Sequence, residues 1–175
     1  LCGTLESSPL LRSTAAPSED IWVSGTLGDA SAGFLRRSAE LEQKWHCPQP
    51  PLNLGPALAS RGLATAAMDL SDGLLQDLAT LCEASRVGAT IDPKLLPVSE
   101  ELGSLNEPLL SHQIGFGEDY QLLFTATTSD AAEVQSLGES LGIRLTRIGK
   151  TTAERTVVIP GADQVKAWTH FQEGK

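Results

Sequence analysis

Residues 64–82 read ATAAMDLSDGLLQDLATLC and predict a strand followed at once by a helix. Small and apolar side chains fill residues 64–70, which favours a buried strand. From Leu74 onward, apolar side chains recur at the i, i+4, i+7 and i+8 positions of an amphipathic helix (Leu74, Leu78, Leu81, Cys82). A strand that passes directly into an amphipathic helix indicates a layered domain, in which helices cover a sheet.

The rest of the chain continues this interleaving of strands and helices. Further strands are predicted at residues 21–25, 87–91, 120–126, 144–148 and 156–159, and further helices at residues 29–44, 57–60 and 131–141. Four prolines make residues 46–56 a loop, and residues 93–103 read as loop and turn. Because the last two strands are close in sequence, we expect them to pair directly. The prediction is an α+β domain with a mixed sheet, not a doubly wound one.

Composition narrows the class of protein. The chain has 175 residues, of which 41% are hydrophobic and 20% charged, as in one globular domain. A net charge of -9 argues against nucleic-acid and anionic-membrane partners, which bind basic surfaces. No stretch reaches the ~20 apolar residues of a membrane span. The three cysteines (Cys2, Cys47, Cys82) are widely spaced, which is typical of reduced thiols in the cytoplasm.

The start of the chain suggests a longer parent protein. Leu1 replaces an initiator methionine, and the only methionine is Met68. We therefore expect residues 1–15 to be the remnant or linker of a part of the protein that precedes this domain. Residues 16–175 then form the carboxy-terminal layered domain.

Chemistry is most clearly indicated at the strand-to-helix junction of residues 68–74. Unpaired backbone N–H groups at a helix start attract phosphate, and the Ser71 hydroxyl can donate to a phosphate oxygen. Asp69 and Asp72 supply the oxygen ligands that Mg²⁺ prefers. The competing interpretation is purely structural: Ser71 caps the helix, and Asp72 complements its dipole.

Residues 115–124, GFGEDYQLLF, form a second candidate site. Glycines allow the backbone to approach a ligand closely, and Glu118 and Asp119 stand before a buried strand. A carboxylate there can accept hydrogen bonds from a ligand's amino group or protonated ring nitrogen. A glycine turn with solvated acidic side chains is the structural alternative.

Other positions favour structural roles. Gly25 to Gly28 lie between a strand and a helix but lack the G-x-G-x-x-G spacing, so we interpret them as a turn. His112 is predicted at the surface or in a turn. Trp22 and Trp45 are predicted to lie in the core.

Taken in order, these motifs resemble the thiamine-monophosphate kinase family. DLSDGL at residues 69–74 is followed, about 45 residues later, by GEDYQLLF at residues 117–124. LLRS at residues 10–13, IWVSGTLGDA at residues 21–30 and WTHF at residues 168–171 also match in order. The resemblance covers nearly the whole chain, and the ordered set is more specific than any one motif.

The resemblance implies the carboxy-terminal part of a two-domain enzyme related to aminoimidazole ribonucleotide synthetase. Such enzymes bind ATP and several Mg²⁺ ions in a cleft between the domains. The reaction moves the γ-phosphoryl group of ATP onto thiamine monophosphate and gives thiamine diphosphate. The resemblance also implies that the full-length enzyme is a cytoplasmic homodimer. The resemblance further implies that the missing front half is an amino-terminal ATP-binding domain, of which residues 1–15 are the remnant or linker. A chain without that half is expected to be inactive.

The family's functional residues carry over position by position. Metal ligands match Asp69 and Asp72, ATP contacts match Ser71 and Arg12, and thiamine monophosphate contacts match Glu118 and Trp168. No residue is implied as a covalent nucleophile, since phosphoryl transfer needs positioning and charge neutralisation.

Two positions depart from the family pattern: the first removes a basic side chain, and the second removes a carboxylate at the substrate end. Pro51 stands where the family usually has arginine, and Thr169 replaces an aspartate.

Two alternatives remain open at this point. The first is another enzyme of the same superfamily, similar to aminoimidazole ribonucleotide synthetase; residues 118–120 and 168–171 argue against it. The second is a non-catalytic ligand-binding module that kept the fold without the kinase half.

Overall fold

A six-stranded sheet runs through the computed structural model, which describes residues 8–165. The strands are β1 (Asp20–Ser24), β2 (Ala66–Leu70), β3 (Gly88–Ile91), β4 (Gln121–Ala126), β5 (Leu145–Thr152) and β6 (Val157–Val158). Their order in the sheet is β2-β4-β1-β5-β3-β6. Only the pairing of β3 with β6 is parallel, so the predicted mixed sheet is confirmed.

Helices pack on both faces of this sheet. They are α1 (Asp29–Phe34), α2 (Ala39–His46), α3 (Leu54–Arg61), α4 (Leu74–Ser85), α5 (Glu100–Gly103), α6 (Leu110–Gly115) and α7 (Ala131–Leu141). Single 3₁₀ turns lie at Pro93–Leu95, Thr128–Asp130 and Ala162–Gln164. The described residues therefore form the predicted α+β layered domain.

The alternation of side chains along β1 shows how the two faces are built. Ile21 and Val23 join one buried cluster with the leucines of α4, whereas Trp22 joins a second cluster with α3 and α7. All of β1 is buried, because it lies inside the sheet with helices on either side.

The two closing strands do not pair with each other, contrary to the sequence-based expectation. β3 lies between β5 and β6, antiparallel to the first and parallel to the second. The chain after β5 crosses the start of β3 at Gly88, where a β-carbon would collide with the carbonyl oxygen of Glu154. The prediction from closeness in sequence was therefore wrong, because Gly88 allows the connection between β5 and β6 to pass over β3.

The single helix predicted at residues 29–44 is in fact two helices. Arg36 adopts a left-handed conformation (φ 56°), and the Ser38 hydroxyl caps α2 by accepting from the Leu41 amide at 3.1 Å. α2 folds back so closely on α1 that a β-carbon at Gly33 would collide with the Leu41 carbonyl oxygen. The break did not show in the sequence because both helices contribute apolar side chains to one buried cluster, among them Ala32 and Leu41.

Several boundaries also differ from the prediction. α3 begins at Leu54, with Pro56 inside its first turn, where a helix needs no amide donor. α4 ends at Ser85 and is followed by Arg86 in a left-handed conformation, shortly before the predicted stop near Gly88. α6 was not predicted, because its apolar period is too short to show.

His112 is buried in α6, so its predicted surface position is wrong. Its Nδ1 lies 2.9 Å from the Ser31 hydroxyl, and its Nε2 lies 3.3 Å from the Glu107 carboxylate. The contact with Ser31 joins α6 to α1.

The residues before β1 pack on the domain. The Leu11 carbonyl accepts from the Ala67 amide, and the Thr14 hydroxyl donates to the Thr65 carbonyl. Ala15 is buried. In the described part of the chain, no helix is long and apolar enough to cross a membrane.

Gly33→Ala should lower the free energy of unfolding by about 1–3 kcal/mol, the usual cost of overpacking. The matched control is Gly55→Ala in α3, where an added β-carbon meets no atom within 4 Å. The control should leave stability unchanged or raise it by up to ~1 kcal/mol, because alanine favours helices. Urea unfolding of both variants measures this difference. Equal changes in the free energy of unfolding would contradict the close packing of α1 on α2.

Candidate functional site

The two motifs singled out in the sequence lie side by side. β2 and β4 are antiparallel neighbours, with Leu70 opposite Gln121. The pairing continues past the strands: the Tyr120 amide donates to the Leu70 carbonyl and the Glu118 amide to the Ser71 carbonyl, both at 3.0 Å. The predicted strand-to-helix junction is also confirmed, since β2 ends at Leu70 and α4 begins at Leu74.

This close approach places unusual demands on the backbone. A β-carbon at Gly117 would collide with the Ser71 carbonyl oxygen, so only glycine fits there. Glu118 and Tyr120 have φ values of 69° and 49°, in the left-handed region that side-chain-bearing residues rarely adopt. Backbone strain is therefore concentrated in the acidic stretch.

Asp119 anchors this strained stretch to α1. Its carboxylate accepts from the Gly28 amide at 2.7 Å and the Ala30 amide at 3.1 Å, and so caps the start of α1 from a distant part of the chain. Burial raises the pKa of Asp119 to about 7, although the two amides act against that shift. Gly28 belongs to the strand-to-helix turn predicted at residues 25–28.

Asp77 occupies the amides at the start of α4. Its carboxylate accepts from the Asp72 and Gly73 amides, both at 3.0 Å. The Asp72 and Gly73 amides, which directly precede α4, therefore already have an acceptor within the domain. The predicted phosphate contact of Ser71 stays a prediction. Ser71 is not the helix cap: Gly73 stands at that position, without a side-chain cap. Neither interpretation considered Asp77.

Negatively charged side chains act on one another at the junction. Burial, opposed by the two amide hydrogen bonds, raises the pKa of Asp77 to about 6, and the charges of Asp72 and Asp69 add to the rise. The charge of Glu118, then burial, and then Asp69 and Asp72 raise the pKa of Tyr120. The charges of three carboxylates (Asp69, Asp72, Glu118) therefore act on one phenol. Such a site favours a cation over a bare anion.

The carboxylate oxygens at the junction suit a hard divalent cation. Asp69 is exposed, and Asp72 is half-buried and accepts from the Gln76 side chain at 3.0 Å. Within residues 8–165, no group of three or more His, Cys, Asp or Glu side chains is arranged to hold a metal ion. A cation at Asp69 and Asp72 would take its remaining ligands from elsewhere, as Mg²⁺ does from water and substrate phosphates.

Two predicted site residues do not join this cluster. Arg12 is exposed, and its carbonyl accepts from the hydroxyl of Ser85, the last residue of α4. The helix of 12 residues rises about 18 Å, so Arg12 lies at the opposite end from Ser71. The structure therefore does not bring the predicted ATP contact of Arg12 to the junction. Trp168 lies outside the described residues.

A cleft of about 220 Å³ opens beside the junction and was missed in the sequence. It is lined by Phe34, Trp45, Ser71, Phe116, Gly117 and Glu118. Trp45 is only half-buried, so its predicted core position is wrong, whereas Trp22 is buried as predicted. The available signal was Phe116, an aromatic residue between the two glycines of the second motif.

A second cleft, of about 180 Å³, lies against Glu118 as well. Its lining includes Asp29, Lys44 and Asp119. Lys44 forms ion pairs with Asp29 at 2.9 Å and Glu101 at 3.4 Å. Glu118 therefore lines both clefts.

Comparison with known proteins identifies the domain. Residues 17–160 match the family model "AIR synthase related protein, C-terminal domain". The chain belongs to this family. Thiamine-monophosphate kinase of Escherichia coli K12 is 39% identical over 158 residues, which cover 83% of this chain and 48% of that protein. The predicted resemblance is thereby confirmed, and the chain spans about half the length of the curated relatives it matches.

Solved structures agree on the fold of this AIR synthase related domain. The crystal structure of thiamine-monophosphate kinase from Stenotrophomonas maltophilia K279a has a TM-score of 0.81 at 35% identity, covering 87% of this chain and 53% of that one. AaThiL complexed with AMPPCP and TMP has a TM-score of 0.77 at 29% identity, covering 93% and 54%.

The raised pKa of Asp119 predicts a specific pH dependence of stability. Between the ordinary value of ~3.9 and about 7, the folded protein keeps a proton that the unfolded chain has released, so the free energy of unfolding falls as pH rises through this range. Asp119→Asn removes this contribution. Urea unfolding at about pH 4.5 and 7.5 should therefore show a smaller loss for Asp119→Asn than for the wild type.

The control for this comparison is Glu139→Gln on the exposed face of α7. It removes one carboxylate without touching the α1 cap and should retain the pH dependence of the wild type. A wild-type pH dependence in Asp119→Asn would contradict the protonation of this side chain in the fold.

Proposed function

We propose that this chain is the carboxy-terminal part of a thiamine-monophosphate kinase, which transfers the γ-phosphoryl group of ATP to thiamine monophosphate and releases thiamine diphosphate and ADP. The observation that carries the proposal is the backbone pairing of the Ser71 segment with the Glu118 segment. It gathers Asp69, Ser71, Asp72 and Glu118 around one junction. Relatives of this name and the AaThiL complex with AMPPCP and TMP support it.

The charge of the site fits a phosphoryl transfer that depends on divalent cations. Asp69 and Asp72 offer oxygen donors in a negative environment, and these would hold Mg²⁺. When bound, Mg²⁺ neutralises charge on the phosphate oxygens of ATP. Two carboxylates are too few for a complete metal site among the described residues, so we infer that ATP phosphates and the preceding half of the enzyme complete it.

The remaining polar side chains orient the substrates. In this proposal the Ser71 hydroxyl donates to a phosphate oxygen of ATP, beside the carboxylates that recruit the cations. Glu118 accepts from the amino group of thiamine's aminopyrimidine ring. By resemblance, Trp168 packs on the thiamine moiety. Arg12, whose backbone lies at the far end of α4, stays a predicted ATP contact outside the junction.

The two alternatives are less well supported. A ribonucleotide-processing enzyme similar to aminoimidazole ribonucleotide synthetase shares the fold, but the 39% identical relative is a thiamine-monophosphate kinase. A binding module without catalysis would not need Asp69 and Asp72 at a negatively charged junction. We also place the full-length enzyme in the cytoplasm as a homodimer, in keeping with the free thiols of Cys47 and Cys82.

Asp69→Asn and Asp72→Asn are the direct test, in a full-length protein that joins this chain to the preceding half present in its relatives. Each should lower kcat about 10²–10³-fold, because charge developing in the transition state loses stabilisation. The KM for thiamine monophosphate should change little, because these carboxylates do not contact the rings. Glu139→Gln is the control, and wild-type kcat in Asp72→Asn at saturating Mg²⁺ would reduce the junction to a structural turn.

The 175-residue chain alone should show no measurable turnover of ATP and thiamine monophosphate, because it holds only part of the site. A coupled assay with purified chain and Mg²⁺ checks this. Activity comparable to the full-length enzyme would show that the catalytic residues all lie here, contrary to the shared site we propose.

A further inference from the structure

Three aromatic rings meet at the mouth of the cleft beside Glu118. The ring centroid of Phe34 lies 5.3 Å from that of Phe116, at an interplanar angle of 26°, and 5.3 Å from that of Trp45, at 74°. Phe34 is 44% exposed, and Trp45 and Phe116 are half-buried. None of the three belongs to the hydrophobic clusters found within residues 8–165. Large aromatic side chains outside the core mark a binding surface.

The fold holds these rings together from three separate segments. Phe34 ends α1, Trp45 belongs to α2, and Phe116 directly follows α6. The tight contact of Gly33 with the Leu41 backbone fixes α1 against α2 and so brings Phe34 to Trp45. The Asp119 carboxylate, bound to the start of α1, ties the loop after Phe116 to the same unit.

Charge selects the kind of ring that this surface suits. Glu118 and Ser71 line the cleft together with the aromatic rings, and Asp69 and Asp72 add negative charge nearby. Aromatic faces attract a cation within ~6 Å of the ring centroid. A flat, positively charged heteroaromatic group is therefore favoured over a neutral one.

We propose that Phe34, Trp45 and Phe116 form an aromatic platform for the thiazolium ring of thiamine monophosphate and set the enzyme's preference for this cationic substrate. The inference rests on the proposed function and deepens it. The platform positions the ring while Glu118 accepts from the aminopyrimidine. The adenine of ATP is flat but uncharged, and the platform discriminates against it.

Steady-state kinetics of full-length Trp45→Leu, Phe34→Leu and Trp45→Phe test the platform. The two leucine variants should raise the KM for thiamine monophosphate about tenfold to hundredfold, the range that follows from losing an aromatic stacking face. The KM for ATP should stay within about twofold of the wild type in each variant. Trp45→Phe should recover most of the loss, because phenylalanine keeps an aromatic face for the cation.

Two further measurements separate charge recognition from simple packing. Leu95→Ala, which truncates an exposed apolar side chain on a 3₁₀ turn, is the control and should change neither KM. Calorimetric titration should show that Trp45→Leu weakens binding of thiamine monophosphate more than binding of the uncharged thiazole phosphate. Thermal melting checks that each variant is folded. If Trp45→Leu does not fold, the same titration with Phe34→Leu tests the platform.

The outcomes distinguish this inference from the function on which it rests. An active wild type with an unchanged KM for thiamine monophosphate in both leucine variants overturns the platform and leaves the proposed function standing. A raised KM for ATP alone assigns the platform to adenine and also overturns the inference. A wild-type enzyme that makes no thiamine diphosphate overturns both.

Discussion

Backbone hydrogen bonds between residues 70–71 and residues 118–120 bring the candidate site together. They extend the β2–β4 pair past the end of the sheet, so that two stretches far apart in sequence share one edge. The approach is so close that position 117 admits no side chain, and the next residues adopt left-handed conformations. Asp119 holds this arrangement by capping α1. The aromatic cleft and the carboxylate cluster both follow from this pairing.

The acidic side chains of the site divide into two groups with different roles. Asp77 and Asp119 turn inward and satisfy backbone amides at the starts of α4 and α1. Burial raises the pKa values of both, which is the cost of using a charged group as an internal cap. Asp69 is exposed, and Asp72 and Glu118 are half-buried beside it. A chain of net charge -9 thus has a negatively charged junction. Cations that bind there first allow phosphates to bind next.

Local signals made much of this fold predictable. The apolar run of β2 and the leucine stripe of α4 defined the junction, and the GFGEDYQLLF stretch located the second half of the site. The features that were predicted wrongly depend on contacts between residues far apart in sequence. β3 can lie between β5 and β6 because Gly88 has no β-carbon to collide with the chain that passes over it. In the same way, Gly33 allows α2 to fold back on α1. The partners of Asp77 and Asp119 are set by the folded backbone, and no periodicity encodes them.

The central claim is that the two motifs form one cation-binding site, and paramagnetic broadening by Mn²⁺ tests it most directly. In amide ¹H–¹⁵N spectra of the chain, Mn²⁺ at low stoichiometry should broaden residues 69–73 and 117–120 together. Residues of α7, which follows the far end of β4, should remain sharp. Broadening of only one of the two segments, or of α7 to the same extent, would contradict a shared site.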